Sequence, residues 1–164
     1  MLNHYHNHME FIPEDIIEEI IQQYDDIVLF ENDLLNLKNE NPIITDFISE
    51  ERLDLLQKDE LAYLEFITLV IYSATKKCIR NVPKIKGHLL EDAEEKNYDL
   101  WENEGKKSLK SAFDVFFDGY PQEDLLAFLE DSLQQDEENP VTGVGAELIA
   151  VTAKSIIDVL HDCN

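Results

Sequence analysis

A chain of 164 residues with 44% hydrophobic and 9% aromatic side chains carries enough apolar material for one core, unlike the starved composition of a disordered chain. Five glycines and five prolines are too few for the tight turns of an all-β sandwich or barrel, so long helices with few corners are expected. Thirty-six acidic against 13 basic residues give a formal net charge of −23, which argues against nucleic acid or an anionic membrane as a partner, because phosphate binding needs clustered Lys and Arg.

The opening Met1 to His8 has neither a basic n-region nor an apolar run, so no secretory signal is expected and the chain reads as cytoplasmic with a flexible terminus over 1–9. Pro13, Glu14 and Asp15 suit a helix start, and Ile16/Ile17, Ile20/Ile21, Tyr24 and Ile27/Val28 continue it at helical period. The helix either runs on through Leu37 or breaks near Asn32-Asp33, and Asn39 to Pro42 ends it. A second helix is expected from Thr45 or Ser49, with Phe47, Ile48, Leu53, Leu55 and Leu56 on its apolar side. Asp59 suits the next N-cap, and from Leu61 to Ala74 apolar residues cover every side, which predicts a central buried helix over about 60–80.

Leu89, Leu90, Ala93, Asn97, Leu100 and Trp101 mark a further helix stopped by Gly105, and Leu109 to Phe117 another stopped by Gly119. Pro121 opens the next, with Leu125, Leu126, Phe128, Leu129 and Leu133 inward. After a turn-rich link from Asp136 to Gly145, Leu148, Ile149, Thr152, Ile156, Val159 and Leu160 face inward on a last helix. No run alternates with period two long enough for a strand. The expectation is an all-α fold, a single compact domain spanning 1–164 with about seven helices.

Charge is unevenly placed. Residues 1–75 carry a net of −14, residues 76–88 hold five bases and no acid, and residues 89–164 again carry −14. Lys76, Lys77, Arg80, Lys84 and Lys86 thus form a basic insert, suited either to a helix C-terminus or to an acidic ligand. Glu123, Asp124, Glu130, Asp131, Asp136, Glu137 and Glu138 make the densest acidic stretch, with the first four opposite the leucines of their helix.

Motifs for chemistry are sparse. Ferritin-like metal sites need Glu-x-x-His on two helices, and none occurs. The nearest match, Asp158 with His161, falls opposite the Leu148, Thr152, Ile156 stripe and is expected in solvent, as are Glu91, Glu95 and Glu102. His4, His6 and His8 alternate but have no strand to sit on, so no metal or other cofactor is assigned. Thr142-Gly143-Val144-Gly145 before a helix resembles a weak phosphate loop, and Thr142 as an N-cap explains the same residues. Cys78 among cations would be a reactive thiolate if exposed and an inert one if buried; Cys163 completes a pair with no disulfide spacing.

The reading that follows is a non-catalytic interaction protein whose acidic face binds a basic macromolecular partner, in its most concrete version an immunity or antitoxin-like inhibitor with carboxylates standing where phosphates would bind. The alternative is a helical enzyme or a carrier of a small ligand or metal, with an inter-helix pocket lined by Tyr63, Trp101, Phe113 and Phe117. A homo-oligomer closed over the 61–74 helix is a third.

Overall fold

The computed structural model describes residues 10–49, 51–103, 108–134 and 142–163, and all regular structure in them is α-helical. The expected flexible terminus, Gly105 and Asp136 to Glu138 lie outside these residues. Extended backbone at Pro13 and the carboxylates Glu14 and Asp15 begin α1 (Glu14–Gln23). The chain does not continue as one helix. It turns over Tyr24 to Asp26, and the Asp26 carboxylate then accepts the N–H groups of Val28 and Leu29 to start α2 (Ile27–Glu40). A side chain that satisfies two orphan donors sets the break six residues ahead of Asn32, the earliest position expected from sequence.

Pro42 occupies the first turn of the short α3 (Pro42–Phe47). The helix expected through Leu56 is absent: residues 48, 49 and 51–57 are irregular, with Leu53 and Leu56 buried and Leu55 left 71% exposed. Two inward leucines three apart fit a helix or a turn equally, and the turn prevails here.

From Lys58 to Cys78 runs α4, followed by α5 (Gly87–Asn103), α6 (Leu109–Phe117), α7 (Glu123–Ser132) and α8 (Gly143–His161). Ser108 caps α6 by accepting the Ser111 N–H at 3.0 Å, and Gly119 ends it in the left-handed region at φ 64°. The expected central helix is found: α4 packs against α1, α2, α7 and α8, and Ile67 to Tyr72 are all buried. It shares the centre with α8, which packs on α4, α5 and α7 and is buried without interruption from Ile149 to Asp158. Each fully buried Ile or Leu along these two helices contributes about 1.5–3 kcal/mol relative to exposure. The remaining helices form the outer layer, α3 bridging α2 to α5 and α6 bridging α5 to α7.

The start of α8 is locked by a charge from α4. The Glu60 carboxylate, 1% exposed, accepts the Gln57 N–H at 2.9 Å and both the N–H and hydroxyl of Thr142 at 2.9 Å. Thr142 Oγ1 in turn accepts the Gly145 N–H at 3.0 Å. A Cβ at Gly145 would lie 1.6 Å from Glu60 Oε2, so only glycine lets the carboxylate sit there. Gly145→Ala should therefore expel Glu60 and lower unfolding free energy by about 2–4 kcal/mol in a urea titration. Gly143→Ala, with nothing within 4 Å, should be neutral or slightly stabilising in the same measurement.

Candidate functional site

The last half of α8 carries polar groups into the core. Lys154, Ser155, Asp158 and His161 are each at most 4% exposed. Asp158 accepts from Lys154 Nζ at 3.1 Å, from Asn97 Nδ2 of α5 at 2.9 Å and from the Tyr120 hydroxyl at 2.6 Å. Lys154 also donates to Asn97 Oδ1 at 2.8 Å and lies between the Phe116 and Tyr120 rings, 4.9 and 4.8 Å from their centroids. Burial lowers the Lys154 pKa, with Asp158 opposing that shift, and burial beside Asp158 raises the Tyr120 phenol. The expectation that Asp158 and His161 face solvent is thus wrong. A period-3.6 stripe implies an opposite wet side only if one side is covered, whereas α8 is enclosed by three helices.

His161 heads a second chain of hydrogen bonds. Thr75 donates its hydroxyl to the Ile71 carbonyl, so it accepts from His161 Nε2 at 2.9 Å. Nδ1 then accepts from Gln122 Nε2 at 3.3 Å, and Gln122 also donates to the Glu10 carbonyl and accepts the Ile12 N–H. This is a neutral imidazole with its proton on Nε2, and burial pushes its pKa down to about 4. Both chains are closed structural networks. Through Gln122 the second also fixes the start of α7 against the residues that lead into α1.

That junction places the acidic face. Asp124 of α7 accepts the Glu14 N–H at 2.9 Å, capping α1 across the interface. Between α1 and α7 lies a groove of about 410 Å³ with Ile17, Ile21, Phe66, Ala127 and Phe128 as its apolar wall and Glu14, Glu18, Asp124 and Asp131 as its acidic residues. Of the stretch expected to bind a partner, Asp124 and Asp131 come together here. Glu123 is exposed but does not line the groove. Glu130 is half-buried, and its carboxyl is raised by burial and by Asp131 and Asp114, which places it toward α6. Glu14 and Glu18 were missed as site residues. Their spacing of four, flanking Ile17 and Ile21, was the available signal.

The basic insert meets the acidic body in part. Lys76 pairs with Glu40 at 2.8 Å and Lys77 with Glu19, tying α4 to α2 and α1, while Arg80, Lys84 and Lys86 make no ion pair among the described residues. Cys78 is half-buried, and burial and Glu10 raise its thiol despite Lys77, so it is not an activated thiolate. Burial and Asp158 push the Cys163 thiol up to about 11.

The four aromatics considered as a pocket do not share one. Trp101, Phe113 and Phe117 belong to a ring cluster built around Phe116 and Phe113, whereas Tyr63 stacks on Phe66 and donates to the Ser132 carbonyl. Among the described residues no group of three or more His, Cys, Asp or Glu could hold a metal ion, and no helix is long and apolar enough to cross a membrane. The chain matches no family model, no curated protein and no solved structure.

Removing Asp158 would strand Lys154 in the core, so Asp158→Ala should cost about 3–5 kcal/mol by chemical denaturation. The His161 pKa of about 4 lies below its ordinary 6.5, so below pH 6.5 the unfolded chain takes up a proton that the folded one refuses. Stability should fall as pH drops from 6.5 toward 4, by on the order of 3 kcal/mol in total from this group. The slope between pH 6.5 and 5, before most carboxylates titrate, should disappear in His161→Gln.

Proposed function

We propose that this chain is a non-catalytic interaction protein that docks onto a basic surface of another macromolecule through the α1/α7 face. The observation that carries the reading is the groove in which Glu14, Glu18, Asp124 and Asp131 surround an apolar wall. Charge alone steers encounter and selects sign, while burial of apolar groups holds a complex, and this face offers both. A net charge of −23 adds long-range attraction for a cationic partner and repulsion for an anionic one. An inhibitor of an enzyme with a basic active site, in the manner of an immunity protein or antitoxin, is the most concrete form: carboxylates would occupy the positions of substrate phosphates. That form rests on charge analogy.

The test is affinity purification from the native cell at low ionic strength, run in parallel with the wild type and a Glu18→Lys/Asp131→Lys double variant. Both positions line the groove, and neither supplies a cap or a core contact, so folding should be retained, as a circular-dichroism melt checks. The expected result is a basic protein whose affinity for the wild type falls steeply with salt and drops by at least about tenfold in the double variant. A recovered partner that is not basic, or one held equally by the double variant, overturns the proposal.

A further inference from the structure

A second groove, of about 710 Å³, lies between α2, α3 and the first half of α4. Its apolar walls are Leu34, Leu35, Ile48, Leu61 and Ala62, and Leu35 stands 56% exposed there among the described residues. Set among these walls is one carboxylate, Glu65, half-buried and without a hydrogen bond or ion pair among the described residues. Its environment is costly for an anion: burial alone raises its carboxyl above the ordinary range. The two lysines that also line the groove, Lys38 and Lys58, are exposed and neither lies within ion-pair distance of Glu65; Glu31 and Asp46 complete the charged lining.

An unpaired, partly desolvated carboxylate in an apolar wall is relieved by a cation that brings its own apolar body. Inorganic cations and water satisfy the charge but leave Leu35 uncovered. A neutral apolar molecule covers Leu35 but leaves the charge buried deeper and unpaired. We infer that this groove binds an organic ammonium compound, its nitrogen on Glu65 and its hydrocarbon part along Leu34, Leu35, Ile48 and Leu61. The volume falls in the range of small-molecule sites, which are mostly apolar with a few orienting polar groups. A lysine side chain from a protein, with four methylenes, would fill only a small part of it. This inference is independent of the α1/α7 reading, since the two grooves share no lining residue.

Isothermal titration calorimetry with 4-phenylbutylammonium, and with 4-phenylbutanol as its neutral isostere, tests this on the intact chain. The ammonium should bind, and the alcohol should bind at least about tenfold more weakly, as should the ammonium to Glu65→Gln, since in both cases a hydrogen bond can still form but the attraction between opposite charges is lost. Glu91→Gln, on the exposed side of α5, removes the same unit of charge elsewhere and should leave affinity unchanged. Because Glu65 has no partner to lose among the described residues, Glu65→Gln should fold normally, as a thermal melt verifies. Leu35→Ser should weaken the ammonium while keeping the fold, since Leu35 is exposed. Equal affinity for ammonium and alcohol, equal effects of Glu65→Gln and Glu91→Gln, or no binding at millimolar concentration overturns the inference. So does binding of Nα-acetyl-lysine methylamide as tight as that of phenylbutylammonium, which would assign the groove to a protein's lysine.

Discussion

The Lys154–Asp158 pair inside α8 constrains how everything around it is arranged. Two charges at most 4% exposed survive only if each remaining donor and acceptor is met, and α5 supplies Asn97, the α6–α7 link supplies Tyr120, and α8 itself supplies Ser155. Such a pair adds little net stability compared with an apolar pair of the same volume. Its effect is on geometry: α5 cannot slide along α8, and residue 120 cannot leave, without stranding a charge. Apolar burial along α4 and α8 supplies the driving force, and the polar network selects one packing among those that burial would allow.

One turn on, His161 extends that selection to the other side of the molecule. Thr75 ties it to α4, and Gln122 ties it to α7 and to the backbone at residues 10 and 12. The neighbourhood of α1 and α7 is therefore set from the interior, and Asp124 on the Glu14 N–H completes it at the surface. The acidic groove is a consequence of this arrangement. Two helices that each present a row of carboxylates would repel one another if only surface forces acted, so their approach has to be held by the hydrogen bonds beneath.

Much of the fold was legible because helix ends are local events. Pro13, Pro42, Gly119 and Thr142 each act within a few residues, and each marks the boundary its chemistry implies. The break at Asp26 was less visible, because a cap is recognised only when the backbone before it departs from the helix, and Tyr24 to Val28 keep helical spacing of apolar groups. Asp158 and His161 were misread for a different reason: sequence period shows which side of a helix is apolar, not whether the other side is also covered. The site was half legible. Asp124 and Asp131 stand in an obviously acidic stretch, but their union with Glu14 and Glu18 depends on contacts between residues more than a hundred positions apart.

The same reasoning explains why a glycine pair before a helix here does not mark a phosphate site. A helix N-terminus attracts an anion, and in α8 that anion is already part of the chain: Glu60 reaches Thr142 and occupies the space that Gly145 leaves open. Glycine is needed for close approach in both cases, so the motif records closeness of an acidic group without saying whose group it is. At the start of α8 the anion site is thus taken by Glu60, and at its end the Asp158 and His161 side chains are engaged with α4, α5 and the α6–α7 link. Two of the open grooves lie beside α4, one lined by Glu65 and the other by Phe66. The proposed recognition surfaces accordingly lie on the outer helices α1, α2 and α7, carried by a core whose ionisable groups Glu60, Lys154, Asp158 and His161 are already paired.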